Sequence, residues 1–212
     1  MTRTLVIDTT TAACSVALID GADVIARAHE EVGRGHAERL LPMIAALPDG
    51  GRAPRILVDC GPGSFTGVRV GLAAARGLAL GWGARLSGYS STSLLAAATF
   101  AAHPTFAQLA VVLEGGHGEV FMQSFTAAPF AAADALASRR PDAALAALGG
   151  RVAVGNGVRH LRALDPQIDA LDQLPDAADA RLLPPDFTML APSPIYGRAP
   201  DAKTLAERGL SQ

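Results

Sequence analysis

The chain has 212 residues and a formal net charge of −2, and half of its residues are apolar. This composition excludes a disordered chain and is sufficient to bury a substantial core. Neither half of the sequence has the excess of basic residues that binding RNA unaided requires. The two cysteines, Cys14 and Cys60, are too few for a disulfide framework. No signal peptide is recognisable at the start, so we expect a cytoplasmic location.

Alternating and helical patterns in the first half predict one mixed lobe. Apolar residues that alternate with polar ones indicate strands, and apolar residues at 3.6-residue spacing indicate helices. In chain order the predicted elements are strands at 3–8, 14–19 and 24–29, a helix at 35–47, a strand at 56–59, a helix at 67–80, a strand at 86–89 and a helix at 91–102. Pro42 should bend or restart the first helix, and Ser91 is the predicted cap of the last.

The second half predicts a shorter set of elements of related design. The predicted elements are strands at 108–113, 119–125 and 151–154, weak helical segments within 132–148, and a helix after the turn Gly155-Asn156-Gly157. The acidic stretch 165–185 suggests a solvated surface segment, and the proline-rich tail suggests extended chain. We therefore predict a mixed α/β fold with lobes at 1–104 and 105–212.

The segment 86–112 contains no Asp, Glu, Lys or Arg and is long enough to span a bilayer. However, Gly88, His103 and Pro104 interrupt it, together with the hydroxyl-rich run at 90–93. We therefore predict strand, helix and strand within a protein core, and no membrane contact.

The glycine-rich stretch GPGSFTGVRVG at 61–71 joins a predicted strand to the longest predicted helix. Glycines allow a tight turn and close approach of another group, and Ser64 or Thr66 can cap the helix. The N–H groups at such a helix end attract anions such as phosphate. The stretch has neither the Gly-Lys-Ser/Thr of a P-loop nor the GxGxxG spacing of dinucleotide sites. It therefore predicts an anion loop of a different kind.

Several motifs occur together in a fixed order. They are Asp8-Thr9-Thr10-Thr11 with Cys14-Ser15-Val16-Ala17, then HAERLLP at 36–42, GPGSFTGVRVG with Gly77-Leu78-Ala79, Gly118-Glu119-Val120, and Pro194-Ile195-Tyr196-Gly197-Arg198. This set resembles the TsaB (YeaZ) family of the tRNA threonylcarbamoyladenosine pathway. The resemblance covers nearly the whole chain, with its most specific motif at 61–71 and only short matches in the second half.

The resemblance implies a two-lobed α/β fold of the actin/hexokinase/Hsp70 (ASKHA) type, with mixed sheets flanked by helices and a reduced second lobe. It also implies a protein that is not itself an enzyme, but a scaffold that pairs with a TsaD-like transferase. A TsaE-like ATPase joins the pair, and tRNA is contacted only through the complex. We expect no catalytic residue, cofactor or metal, and a homodimer can form when the partner is absent.

The resemblance also implies which residues matter. In this fold the first strand pair binds phosphate, so a vestigial anion loop is expected at Asp8, Thr9, Thr10, Gly61, Gly63, Ser64 and Thr66. The helix at 67–81 has too many small and apolar residues for one buried stripe, and an exposed second apolar face requires a partner. The helices at 35–47 and 67–81 are the expected contact with a TsaD-like protein. We expect the partner interface at His36, Leu40, Leu41, Ile44, Val68, Gly71, Leu72, Ala75, Leu78 and Ala79.

Two other activities of this superfamily stay open as alternatives, an ATP-dependent phosphotransferase and a metal-dependent glycopeptidase. Nucleotide-binding members end the first strand in an acid, and Asp8 holds that position. The turn at 113–118 lacks the Asp-Ala-Arg more usual in the family, which removes a contact to an anion. The metal-binding paralogue has two histidines one helical turn apart, whereas here His36 is followed by Leu40. Glu119 matches the family motif, but the sequence assigns it no role.

Overall fold

The computed structural model describes residues 3–197, and its first sheet has five strands in the order β3-β2-β1-β4-β5. The first eight elements are β1 (Arg3–Asp8), β2 (Ala13–Asp20), β3 (Asp23–Glu31), α1 (His36–Ala45), β4 (Arg55–Asp59), α2 (Phe65–Trp82), β5 (Arg85–Tyr89) and α3 (Ser91–Ala102). The strand β1 pairs antiparallel with β2 and parallel with β4. All eight elements were predicted in this order, and their boundaries differ by only a few residues.

The second sheet has the strand order β11-β10-β6-β7-β8, with the short β9 also paired to β7. Its elements are β6 (Gln108–Gly116), β7 (Glu119–Ala127), β8 (Phe130–Ala132), β9 (Ala137–Arg139), α4 (Pro141–Ala147), β10 (Val152–Val154), α5 (Val158–Arg162) and β11 (Ala170–Leu171). Short 3-10 helices lie at Pro48–Gly51, Ala177–Leu182 and Pro185–Thr188. The mixed α/β fold class is therefore confirmed.

The helix α3 lies between the two sheets. Its residues Ser91–Ala97 are all buried, because one side packs with the first sheet and the other with the second. The helices α1 and α2 cover the outer face of the first sheet, and α4 and α5 cover the outer face of the second. This layering explains the charge-free segment 86–112, which forms β5, α3 and part of β6. Among residues 3–197, no helix is long and apolar enough to cross a membrane.

Two predictions in the second half were wrong. The stretch 132–148 was predicted as helical, but only Pro141–Ala147 is α-helix, and 137–139 pairs with β7 as an edge strand. The acidic stretch 165–185 is not simply a solvated surface segment, because Ala177, Ala178 and Leu183 pack against the first sheet and α3. Asp176 accepts a hydrogen bond from the N–H of Ala178 and pairs with Arg27 of β3. The acids around these alanines made the segment appear solvated in the sequence, although the alanines are buried.

Smaller corrections concern helix ends. The N-cap of α3 is Ser90, and the predicted cap Ser91 instead donates its hydroxyl to the carbonyl of Pro62. The helix α1 runs through Pro42 as a single element rather than restarting there. Residue 198 of the C-terminal motif, and the tail beyond it, lie outside the described residues. The lobe boundary near residue 104 stays a prediction.

Candidate functional site

A cleft of about 1190 Å³ opens between the end of the first sheet and the β6–β7 hairpin. One side consists of the turn after β1, the start of α1 and the start of α2. The opposite side consists of the hairpin and residues 194–197. The last of these segments returns to the first sheet, where the N–H of Ile195 donates to the carbonyl of Cys60 at 2.8 Å. The cleft therefore contains the predicted anion loop together with the tail of the described chain.

The turn after β1 packs directly against the N-terminus of α2. The N–H of Ser64 donates to the carbonyl of Thr10 at 2.6 Å, and the hydroxyl of Thr9 donates to the carbonyl of Gly67 at 2.8 Å. Ser64 is the helix cap, accepting the N–H of Gly67 at 3.2 Å. The N–H groups of Ser64 and Gly67 thus already have acceptors within the chain. The groups of the predicted anion loop do come together, but they bind one another.

Three glycines allow this contact. A Cβ at Gly63 would lie 2.0 Å from the carbonyl oxygen of Thr10, and one at Gly67 would lie 2.0 Å from that of Thr9. A Cβ at Gly71 would lie 2.4 Å from the hydroxyl of Thr9. No side chain fits at such distances, so the spacing of four residues lets the Thr9–Thr10 backbone lie directly on the helix. The glycines therefore serve packing within the chain.

Two buried carboxyl groups lie beneath the turn. Asp8 and Asp59 end neighbouring parallel strands, and both are almost completely inaccessible to solvent. The hydroxyl of Tyr89 donates to Asp8 Oδ2 at 2.8 Å, and the hydroxyl of Thr10 donates to Asp59 Oδ2. Burial raises the pKa of Asp8 well above its usual value, and the negative charge of Asp59 raises it further. Asp8 is therefore sealed from the cleft and does not fit a phosphate or Mg²⁺ anchor.

The second-lobe side of the cleft is organised around Glu114. Its carboxylate accepts hydrogen bonds from Arg159 and from His160 Nε2, the latter at 3.1 Å. The amide of Asn156 bridges to it, accepting the N–H of Glu114 at 3.2 Å and donating to Oε2 at 3.3 Å. Asn156 thus fixes the hairpin, and its motif Gly155-Asn156-Gly157 is the predicted strand-to-helix turn. The carboxylate of Glu114 therefore has two partners from α5, the Arg159 guanidinium and the His160 ring.

The rim of the cleft presents aromatic and basic side chains. Phe65 and Tyr196 are 58% and 60% exposed, with ring centroids 6.2 Å apart. The guanidinium carbon of Arg69 lies 3.5 Å from the centre of the Phe65 ring, and its Nη2 donates to the Tyr196 hydroxyl at 3.4 Å. This contact fixes the tail segment against the start of α2.

The position of the paralogue's metal site does not fit a metal. His36 is buried, and its Nε2 donates to the carbonyl of Ala13 at 3.2 Å, so the ring ties α1 to β2. The N-cap of α1 is Gly35, so His36 is the first residue of the helix and does not cap it. Leu40, one turn later, lies in the core. Cys14 and Cys60 are buried thiols whose pKa values burial raises to about 11 and about 12.

Comparison with known proteins assigns the chain to a family. A family model described as TsaD, tRNA N6-adenosine threonylcarbamoyltransferase, matches residues 26–149, which is more than half of the chain. The tRNA threonylcarbamoyladenosine biosynthesis protein TsaB of Escherichia coli is 37% identical over 129 residues, or 58% of this chain and 54% of that protein. The solved structure of YeaZ from Pseudomonas aeruginosa has a TM-score of 0.72 at 28% identity, covering 86% of this chain and 90% of YeaZ. The chain belongs to the TsaB (YeaZ) family, within the wider TsaD family.

The match to TsaB (YeaZ) confirms the resemblance and the actin-like ASKHA fold. The aligned region spans only about half the length of the E. coli protein. An uncharacterised protein of Mycobacterium tuberculosis is 30% identical over 95% of this chain and 94% of its own length. The similarity to this relative therefore extends through both sheets.

The structure places most side chains of the interface expected for TsaB-like proteins inside the chain's own core. Seven of the ten are buried. They lie on the faces of α1 and α2 that pack against the first sheet. These seven are His36, Leu40, Ile44, Val68, Gly71, Leu72 and Ala75. Leu78 and Ala79 are half-buried, and Leu41 is 53% exposed. A contact through these two helices stays a prediction, and only their outward residues can present side chains to a partner.

Sequence reasoning missed several residues of the cleft floor. Asp59 and Tyr89 were not singled out, although two acids at the ends of strands that become parallel neighbours were a usable signal. The roles of Glu114, Arg159 and His160 depend on contacts between distant segments, and no local pattern indicated them. Glu119, which had no assigned role, accepts a hydrogen bond from the hydroxyl of Ser138 at 2.6 Å.

Proposed function

We propose that this chain is a non-catalytic scaffold and activator subunit for the formation of threonylcarbamoyladenosine in tRNA. It pairs with a TsaD-like transferase, is joined by a TsaE-like ATPase, and contacts tRNA only within that complex in the cytoplasm. The relatives named tRNA threonylcarbamoyladenosine biosynthesis protein TsaB support the pathway. The match to the transferase family supports a chain that is related to the enzyme itself.

The observation that carries the non-catalytic role is the close packing of the Thr9–Thr10 turn on the start of α2, above the buried Asp8. In an enzyme of this fold the first hairpin and a helix end would have to hold phosphate groups with free N–H donors. Here Thr10 accepts the Ser64 N–H, and the acid at the end of β1 is buried beneath the turn. The Thr9–Thr10 backbone, where this fold would place a phosphate-binding hairpin, packs directly against Gly63 and Gly67.

The outward side of the α1–α2 pair supports the scaffold role. Leu80 is 88% exposed and Leu41 is 53% exposed, and Ala73 and Gly77 lie on the same outward side of α2 as Leu80. Exposed leucines beside small residues form a smooth apolar surface on which another helix can pack closely. We place the contact with the TsaD-like subunit, and the homodimer contact, on this outward surface of α1 and α2.

The test uses charge at exposed positions so that the fold is kept. We expect L80E and L41E to weaken binding to the TsaD-like transferase of the same organism by tenfold or more, because a carboxylate would be buried in an apolar contact. L164E is the matched control, since Leu164 is 54% exposed but lies after α5 on the second lobe. Binding is measured by titration calorimetry, and threonylcarbamoyladenosine formation is measured with the complete complex.

The measurements separate the two parts of the proposal. Wild-type affinity in both L80E and L41E would contradict the placement of the contact on these helices. Threonylcarbamoyl transfer to tRNA by this chain without a TsaD-like partner would contradict the non-catalytic role. Sedimentation of the chain alone reports the homodimer, which the same two substitutions should dissociate.

A further inference from the structure

Asp8 and Asp59, the two acids beneath the cleft, lie side by side, and neither makes an ion pair among the described residues. Asp8 and Asp59 follow the paired residues Ile7 and Val58 of parallel strands, and they are 0% and 1% exposed. Within residues 3–197, no Arg, Lys or His makes an ion pair with either carboxyl group. Two adjacent charges in this position would face each other without compensation, which is strongly unfavourable away from water.

The two carboxyl groups differ in their hydrogen-bond partners. Asp59 uses both oxygens as acceptors, since Oδ1 accepts the N–H of Gly61 at 2.9 Å and Oδ2 accepts the hydroxyl of Thr10. Asp8 Oδ2 accepts the hydroxyl of Tyr89, but Asp8 Oδ1 is buried and has no partner among the described residues. A buried oxygen without a partner is costly unless it carries a proton that it can donate. The nearby acceptor is the carboxyl group of Asp59, which follows the residue paired with Ile7 on the neighbouring parallel strand.

The other titratable groups packed around the pair are neutral at physiological pH. Burial raises the pKa of Tyr89 well above its usual value, and it raises the pKa values of Cys14 and Cys60 to about 11 and about 12. None of them supplies a positive charge. Burial also raises the pKa of Asp59 to about 6, while donors such as Thr10 and Gly61 oppose that rise. Asp8 has fewer opposing donors, and its pKa is raised by burial and by Asp59.

We propose that Asp8 and Asp59 hold one proton between them in the folded chain, with Asp8 as a neutral acid that donates to the Asp59 carboxylate. The acid that ends β1 then acts as a hydrogen-bond donor inside the lobe. Through Thr10, the Asp59 carboxylate also positions the turn that packs against the α2 N-terminus. This inference does not depend on the proposed function.

The variant D8N tests the proton directly. Asparagine offers an N–H where the neutral acid offers an O–H, and its oxygen can still accept from Tyr89. It should therefore fold normally and should not titrate. The matched control is D186N, because Asp186 is exposed and its removal leaves the pair intact.

The pH dependence has a definite sign. Below about pH 4 both the folded and the unfolded chain keep the Asp8 proton, so this group contributes no difference. As the pH rises above 3.8, the ordinary pKa of an aspartate, the unfolded chain loses that proton and the folded chain retains it. Wild-type stability therefore falls. We expect the unfolding equilibrium constant of wild type to rise about tenfold per pH unit relative to D8N between pH 5 and pH 7. The ratio of wild type to D186N should stay constant.

Chemical denaturation at each pH supplies these constants, and carbon NMR of labelled aspartate carboxyls in the wild-type chain supplies an independent reading. The Asp8 signal, identified by its loss in D8N, should keep the shift of a protonated acid up to pH 7, while Asp59 titrates near pH 6. A ratio of wild type to D8N that does not change with pH, a D8N chain less stable than wild type at pH 7, or an Asp8 carboxyl that ionises below pH 5 would each overturn the proposal.

Discussion

Replacing Gly67 by alanine tests whether the Thr9–Thr10 turn is held against α2 by glycine spacing. The new Cβ would lie 2.0 Å from the carbonyl oxygen of Thr9, where ordinary contact begins at 3.4 Å. A backbone oxygen cannot rotate away, so the turn itself must move by more than 1 Å. That movement also stretches the hydrogen bonds from Ser64 to Thr10 and from Thr9 to Gly67.

The size of the effect follows from three contributions. Forcing an extra methyl group into a packed site costs about 1–3 kcal/mol, and weakening two hydrogen bonds costs about 1 kcal/mol each. Alanine offsets about 1 kcal/mol of this loss because its helix propensity is higher than that of glycine. We therefore expect G67A to lower the free energy of unfolding by about 2–4 kcal/mol, which lowers Tm by roughly 5–15 °C in a chain of this size.

The control is the same substitution about three turns further along the same helix. A Cβ at Gly77 meets nothing within 4 Å, so G77A should raise the free energy of unfolding by about 0.5–1 kcal/mol. Urea denaturation followed by circular dichroism measures both variants. Equal stability of G67A and G77A would show that the turn does not lie on the helix as described.

Two further predictions concern local contacts. S64A should cost about 1 kcal/mol because the cap of α2 is lost, whereas T66A, at the other predicted cap position, should change stability by less than about 0.5 kcal/mol in the same denaturation assay. D176A should expose the segment Ala177–Leu182 to trypsin, because Asp176 caps that segment and pairs with Arg27 of β3. R27A, which removes only an exposed ion pair, should be cleaved at nearly the wild-type rate.

The elements of the first sheet could be predicted because their signals are local. Alternation in β1 and β2, and the strand–loop–helix sequence at 56–80, need no knowledge of the rest of the chain. Local patterns do not predict which group packs against a glycine in the folded chain. The glycines at 63, 67 and 71 were equally compatible with an anion and with a backbone, and the backbone that occupies them comes from Thr9 and Thr10, more than fifty residues earlier.

Exposure on α2 could not be predicted for a similar reason. Its small and apolar residues surround the whole helix, so composition alone does not distinguish the buried Leu72 from the exposed Leu80. The same ambiguity hid the buried alanines between 177 and 180, which lie among acids. In both segments the direction of each side chain depends on the sheet that the element packs against, and that sheet is assembled from distant parts of the chain.

The close packing at the start of α2 has a consequence for how such sequences are interpreted. Because Gly63 and Gly67 of GPGSFTG pack directly against the Thr9–Thr10 backbone, the motif has a structural reason to persist that involves no phosphate. A genome survey should therefore not use this stretch alone as a marker of nucleotide chemistry.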